Sequence, residues 1–415
     1  MSLPTFRFVH AADLHLDAPF HGVRRASPAI TYALGQAALT AWDALVQLTI
    51  DQNAAFLLLS GDICDGGERA VPAQLRFLQG LQRLSAHAIP TFIVRGGGDP
   101  SDRWPGIQQW PNHVHCFGAH AVESMAVGAG GERLATIHGV SHASDRSNRQ
   151  FVRGVETGLH IGLLHAGVNT GSVTAGDHLP IADLQSAGMD YWALGTVHRH
   201  QHVSEGQPWI VYPGTLQGRS FKDDETGPKG AVVVTVSDGS VRDVTHHALD
   251  AVRLTRVQID LSGLTGATDL RRALSSAAAR LRSEGAGRTI IVTGELRGRA
   301  HGWMGAQLTD DLWDRLLDDL RQEDNGGEAV LWWDSLTDFT EGRELQSDDA
   351  VSMYVHRLVE VLRRAPAGLD RLLSDQSATL APSMHAGRST LDSHDVDHLL
   401  NRAERVALSL LEREP

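Results

Sequence analysis

The opening strand and the turn after it read Phe8-Val9-His10-Ala11-Ala12-Asp13-Leu14-His15-Leu16-Asp17. The apolar residues predict a buried strand within Phe6–Ala12, and Asp13 and His15 follow where that strand ends. In open α/β sheets, ligands bind outside the carboxyl ends of the strands, so both side chains are expected to face a crevice. A single Asp-x-His pair is common by chance, so the strands that follow decide whether it marks a site.

Four more predicted strands end in similar residues. They lead into Gly61-Asp62-Ile63-Cys64-Asp65, Gly96-Gly97-Gly98-Asp99, His165 and Gly195-Thr196-Val197-His198. Asp or His at five successive strand ends is a large coincidence. Carboxylates and imidazoles without a thiolate are typical of a site for Mn, Fe or Zn.

The spacing of apolar segments predicts the fold. Helices within Pro28–Gln52 and Val71–His87 separate the first strands, which favours a largely parallel sheet covered by helices. After Asp99, strands joined by short links predict a second sheet packed on the first; they are Val114–Phe117, Leu134–Val140, Ile161–Leu164, Tyr191–Leu194, Trp209–Tyr212 and Ala231–Val236. Residues 1–250 are therefore expected to form a four-layer α/β sandwich. Residues 251–340 read as a small α/β domain, and residues 341–415 as helices.

Composition excludes several classes of protein. The chain has 415 residues, a formal net charge of −13, 22 histidines and two cysteines, Cys64 and Cys116. Two cysteines exclude a disulfide scaffold, and no apolar run approaches the roughly 18 residues of a membrane span. With no visible secretory signal, a cytoplasmic protein without membrane association is expected.

Charge is unevenly distributed after residue 252. Between Arg253 and Arg299 there are nine arginines and four acidic residues, whereas between His301 and Ala350 there are three arginines and fourteen acidic residues. Two solvated helix faces would explain this pattern. The alternative is a phosphate-contacting module, with Arg271, Arg272, Arg280 and Arg282 as DNA-binding residues, beside an acidic surface.

The strand-end residues resemble those of the calcineurin-type metallophosphoesterases, in particular the SbcD-like and YhaO-like DNA-repair exonuclease branch. The opening segment quoted above, Tyr191-Trp192-Ala193-Leu194-Gly195, Tyr212-Pro213-Gly214-Thr215-Leu216-Gln217-Gly218-Arg219 and Lys229-Gly230 carry the resemblance. It covers roughly the first 240 residues. Beyond them, only the order and size of the elements resemble the capping domain and terminal helices of that branch.

The resemblance implies two metal ions that clamp a phosphodiester and activate the attacking water. The ligands it implies for the first ion are all present: Asp13, His15, Asp62 and His198. For the second ion, Asp62 and His165 match, but Gly97 and Thr196 replace an Asn and a His. The proton-donating His of the family falls at Gly98. Asp99, Thr196, His200, His142 or His202 could compensate for these losses.

Three functions remain open. The first is a Mn²⁺-dependent DNA exonuclease with an impaired second metal site and no general acid. The second is a degenerate scaffold subunit that binds DNA and an ATPase without cleavage. A small-molecule phosphoesterase is less favoured, because it needs no extended cationic surface. The resemblance also implies a homodimer and an SbcC-like or YhaN-like coiled-coil ATPase partner, docked on terminal helices whose apolar faces include Val351, Tyr354, Val355, Leu358, Leu362, Val406, Leu408, Leu410 and Leu411. Packing of these faces onto the body of the same chain would explain them equally well.

Overall fold

A computed structural model describes most of the chain. The described residues are 4–23, 26–66, 70–99, 104, 107, 109–129, 131–142, 150–169, 178–298, 310–323, 330–338, 350–364 and 400. The strands are Phe6–Ala11 (β1), Leu57–Ser60 (β2), Thr91–Val94 (β3), Val114–Cys116 (β4), Glu123–Ala129 (β5), Glu132–Val140 (β6), Leu159–His165 (β7), Gly167–Asn169 (β8), His178–Pro180 (β9), Tyr191–Gly195 (β10), Gln201–Ser204 (β11), Trp209–Tyr212 (β12), Gly230–Ser237 (β13), Ser240–Ala248 (β14), Val252–Asp260 (β15), Thr289–Arg297 (β16) and Leu331–Asp338 (β17). The helices are Pro28–Asp51 (α1), Ala70–Ala86 (α2), Ile181–Ser186 (α3), Ala267–Gly285 (α4), Asp310–Glu323 (α5) and Ala350–Arg364 (α6).

Two six-stranded mixed sheets form the body of the first 250 residues. One has the order β14-β13-β1-β2-β3-β4 and the other β11-β12-β10-β7-β6-β5. Because side chains alternate along a strand, Phe8 and Leu58 enter a core shared with Ile161 of the second sheet. Val9 and Leu57 face the opposite way and pack with residues of α1 and α2.

The outer face of the second sheet is covered by α3 and loop residues, among them Leu184 against Trp192. The predicted four-layer α/β sandwich is thus confirmed, with a thin fourth layer. The predicted membership of its second sheet is wrong for two strands. β4 pairs with β3, and β13 pairs antiparallel with β1, so both extend the first sheet.

The chain divides into two compact units. One comprises residues 1–256, 279–293 and 320–335, and the other residues 257–278, 294–319 and 336–415. β15, β16 and β17 form a three-stranded sheet, and α4 and α5 lie between these strands in the chain, in the predicted order. The predicted boundaries at residues 250 and 340 stay predictions.

Helix α6 begins and ends within the predicted helical segment. Tyr354 and Leu358 are exposed, whereas Val359 is buried. The second predicted terminal helix, with Val406, Leu408, Leu410 and Leu411, lies outside the described residues. Among the described helices, none combines the length and apolar character that crossing a bilayer requires.

A buried pair of imidazoles in the second sheet predicts acid sensitivity. His138 Nε2 lies 2.9 Å from His160 Nδ1, and His138 Nδ1 lies 2.8 Å from the Ser124 hydroxyl. Burial lowers the pKa of His138 to about 4 from an ordinary 6.5. The unfolded state therefore binds more protons between these values, so the free energy of unfolding should fall as the pH drops from 6.5 towards 4. Denaturant unfolding should show a weaker pH dependence in His138→Gln.

The exposed His87 supplies the matched control for this measurement. His87→Gln should keep the pH dependence of the native protein, because its imidazole lies at the surface at the end of α2. An identical pH dependence of unfolding in His138→Gln and in the native chain would show that His138 is not the source of the acid sensitivity.

Candidate metal centre

Five predicted site residues meet at the carboxyl ends of parallel strands. Asp13 and His15 follow β1, Asp62 follows β2, His165 ends β7 and His198 follows β10. Their ligand atoms form two groups, each lying within 4.8 Å: Asp13, His15 and His198, and Asp13, Asp62 and His165. The two groups share Asp13, which is fully buried.

The backbone at these positions is strained. Asp13, His15, Asp62 and Thr196 have φ angles of 52°, 44°, 49° and 97°, in a region that residues other than glycine seldom adopt. Backbone hydrogen bonds join the loop after β1 to the loop after β2 and hold this conformation in both. Asp13 N donates to Gly61 O, and His15 N donates to Asp62 O, both at 3.0 Å. Such strain concentrates at functional sites, where it directs side chains.

In the first group, the hydrogen bonds of both imidazoles favour metal ligation. His15 Nδ1 lies 2.5 Å from Asp65, and His198 Nδ1 lies 2.7 Å from Glu225. A proton on each Nδ1 leaves each Nε2 with a lone pair, the arrangement usual in metal-ligating histidines. The buried His15 Nε2 has no hydrogen-bond partner among the described residues. The donor set therefore fits a divalent metal ion.

The carboxylates behind these imidazoles are held ionised. Burial opposes the charge of Glu225, but the hydrogen bond with His198 and the charge of Arg219 lower the pKa of that carboxyl to about 2. Burial likewise opposes the charge of Asp65, and His15 and Arg219 outweigh it, so its pKa is also lowered. Both carboxylates can therefore accept a hydrogen bond from the Nδ1–H of their imidazole at neutral pH.

The second group has fewer donors than the resemblance implies. His165 Nε2 lies 3.5 Å from Asp62 Oδ2, and His165 Nδ1 donates to Ser60 O at 2.8 Å. The other Asp62 oxygen accepts the backbone N–H of Gly98 at 3.0 Å. Thr196 contributes its backbone N–H, which donates to both carboxylate oxygens of Asp13 at 3.1 and 3.0 Å.

The proposed compensating residues are engaged elsewhere. One Asp99 oxygen accepts the N–H groups of Ile63 and Cys64, and the other accepts that of Gly96. Burial raises the pKa of Asp99 to about 6. His200 Nδ1 donates to Tyr212 O at 3.0 Å. Neither residue joins the two donor groups found within the described residues.

Two residues that were not predicted, Glu225 and Arg219, also support the site. Glu225 holds His198, and Arg219 contacts both Glu225 and Asp65. Both residues lie in or near segments that carry the family resemblance, Gln217-Gly218-Arg219 and Lys229-Gly230. These segments were the only sequence feature that could have indicated a role for Glu225 and Arg219. The predicted DNA-binding residues lie on α4, where Arg271, Arg272 and Arg280 are exposed and Arg282 is half-buried.

Known proteins resemble this chain over most of its length. The model of the calcineurin-like phosphoesterase family matches residues 6–202. The metallophosphoesterase YhaO of Bacillus subtilis (strain 168) is 30% identical over 346 residues, which cover 82% of this chain and 83% of that protein. The crystal structure of TT1561 from Thermus thermophilus covers 57% of this chain and 100% of its own, with 13% identity and a TM-score of 0.35.

Proposed function

Because the chain belongs to the calcineurin-like phosphoesterase family, we propose that it is a metal-dependent phosphodiesterase of the SbcD-like and YhaO-like type, acting on DNA. The observation that carries the proposal is the pair of donor groups around the buried Asp13, with His15 Nε2 left unpartnered among the described residues. Members of this family use divalent metals, and two carboxylates with three imidazoles suit Mn²⁺.

Asp13, His15 and His198 would hold the first ion, with Asp62 as the fourth ligand that the family pattern implies. A bound divalent ion supplies Lewis-acid stabilisation of charge on the phosphoryl oxygens. The chain contributes the fixed orientation of the imidazoles through Asp65 and Glu225. Asp13, Asp62 and His165 are the three donors left for a second ion.

The same residues support a weakened reaction. Gly98 lacks a side chain that could give a proton to the leaving oxygen, and loss of a general acid costs roughly 10²–10⁴-fold in rate. Thr196 offers a neutral hydroxyl where the family places an imidazole. One Asp62 oxygen already accepts the Gly98 N–H, so it is less available to a second ion.

A catalytically inactive scaffold subunit is the second candidate. The missing imidazoles at Gly98 and Thr196 favour it, and so do the exposed Tyr354 and Leu358 of α6, which suit a partner helix. Under both candidates the homodimer, the coiled-coil ATPase partner and the cytoplasmic location stay predictions.

DNA is proposed as the substrate because of the arginines on α4. Changing Arg271, Arg272, Arg280 and Arg282 to Glu should weaken binding equally for unrelated DNA sequences. Each phosphate contact that is lost should flatten the slope of log K against log salt by about 0.9. The measurement is fluorescence anisotropy with linear and hairpin DNA at several salt concentrations, with Mn²⁺-dependent cleavage followed on the same DNA.

The control changes the net charge equally at exposed positions outside α4. Arg76, Arg83, Arg133 and Arg242 are also exposed, and their replacement by Glu should affect binding much less. An equal effect of both quadruple variants would reduce the proposal to a general charge effect. An unchanged salt dependence of binding in the α4 variant would show that DNA does not bind through these arginines, and DNA would no longer be the proposed substrate.

A further inference from the structure

We propose that Arg219 is a positioning residue that locks His15 and His198 together through the two carboxylates behind them. This inference rests on the proposed function, because it assigns these imidazoles to one metal ion. It goes beyond the ligand set, since Arg219 is joined to neither imidazole by a hydrogen bond or ion pair described here.

The guanidinium of Arg219 reaches two carboxylates from different parts of the chain. Its Nη1 lies 3.4 Å from Asp65 Oδ2, and its Nη2 lies 3.5 Å from Glu225 Oε1. The backbone N–H of Arg219 donates to Glu225 Oε2 at 2.8 Å. The side chains of Arg219 and Glu225 are only 15% and 6% exposed, so solvent screens their contact weakly, whereas Asp65 is 37% exposed.

Each carboxylate in turn holds one imidazole. Asp65 Oδ1 lies 2.5 Å from His15 Nδ1, and Glu225 Oε1 lies 2.7 Å from His198 Nδ1. The two rings are 5.3 Å apart between centroids. One continuous chain of contacts therefore runs from His15 through Asp65, Arg219 and Glu225 to His198.

Arg219 also balances charge. Asp65 and Glu225 each contact an imidazole of the metal centre, and Asp65 also lies near Asp62 beside Gly98, so these carboxylates would repel one another more strongly without Arg219. Lys229 is a second cation nearby, but its ammonium donates to the backbone oxygens of His198 and Asp224 rather than bridging the two carboxylates. A planar guanidinium can contact two carboxylates at once, whereas a lysine ammonium acts as a point charge.

The test uses the full chain and begins without metal. In protein labelled with ¹⁵N-histidine, two-bond ¹⁵N–¹H correlation spectra report the tautomer of each imidazole. At a pH high enough to keep both imidazoles neutral, since burial is outweighed by contacts with Glu225 and Asp13 that raise the pKa of His198, we expect the native chain to hold His15 and His198 as Nδ1–H tautomers. Arg219→Met should lose this state in at least one of them. Titration calorimetry with Mn²⁺ should then show roughly a 10–100-fold loss of affinity.

Two further variants sharpen the experiment. Arg219→Lys should restore part of the affinity and the tautomer of one imidazole, a rescue that a simple packing role would not produce. Arg153→Met removes another arginine–carboxylate pair, in which Arg153 Nη1 lies 2.9 Å from Asp190 Oδ1, and should change neither reading. If Arg219→Met does not fold, Arg219→Lys provides the test. Native spectra together with native Mn²⁺ affinity in Arg219→Lys would then overturn the proposal.

The two proposals fail in different ways. Unchanged tautomers and unchanged Mn²⁺ affinity in Arg219→Met would overturn the role of Arg219 while leaving the metal site intact. A native chain that binds no Mn²⁺ would overturn the proposed function. Altered tautomers in the metal-free variant would still support the positioning role of Arg219.

Discussion

Replacing Asp13 with asparagine should lower the affinity for Mn²⁺ by more than roughly 100-fold, because loss of a ligand should exceed the 10–100-fold cost of removing a residue that only orients one. Asp13 is shared by both donor groups and fully buried, so no solvent-exposed carboxylate can take its place. Asparagine has nearly the same shape and keeps an oxygen to accept the N–H of Thr196. Titration calorimetry with Mn²⁺ gives the measurement.

Asp99→Asn is the matched control for this substitution. Asp99 is a neighbouring buried carboxylate whose oxygens accept three backbone N–H groups, so its replacement should disturb the loop and affect Mn²⁺ affinity far less. If Asp99→Asn abolished Mn²⁺ binding and Asp13→Asn did not, the ligand set would be wrong, and Asp99 would become the first alternative ligand.

Local patterns predicted the elements of the sandwich better than their pairing. The strand Trp209–Tyr212 is found with the predicted bounds, because short apolar runs between turns mark buried strands. The place of β13 in the first sheet depends on its long-range pairing with β1, which hydrophobic periodicity does not encode. β14 was not predicted: it lies at the edge of the first sheet, its residues are half-buried or exposed, and most of them are polar.

In the candidate site, too, local features were predicted and long-range contacts were not. The five metal-site residues were predicted because each ends a strand or lies within four residues of a strand's end; they are Asp13, His15, Asp62, His165 and His198. The sequence argument made Asp62 the shared carboxylate, whereas Asp13 belongs to both donor groups in the structure. The contacts of Arg219 with Asp65 and Glu225 join a loop after β2 to one after β12, and no local spacing indicates such an arrangement.

Restoring the family pattern with Gly97→Asn, Gly98→His and Thr196→His should raise Mn²⁺-dependent cleavage of linear DNA by roughly 10²–10⁴-fold, the contribution of a positioned general acid. Gly97 has room, since among the described residues an added Cβ would meet only the His142 ring, at 3.8 Å or more. At Gly98 a Cβ would lie 3.3 Å from Asp65 and 3.4 Å from Asp62, so these carboxylates must shift slightly. At Thr196, histidine removes a β-branched side chain from a φ of 97°.

The control variant keeps Gly97→Asn and Thr196→His but carries Gly98→Ala, which adds the Cβ without the imidazole. It should cleave DNA much more slowly than the triple variant if proton donation is the missing step. If activity increases only in the variant with Gly98→His, the native chain is a binding subunit that has lost its catalytic activity. Strong cleavage by the native chain, with no gain in the triple variant, would instead show that the catalytic site is complete and that another residue supplies the proton.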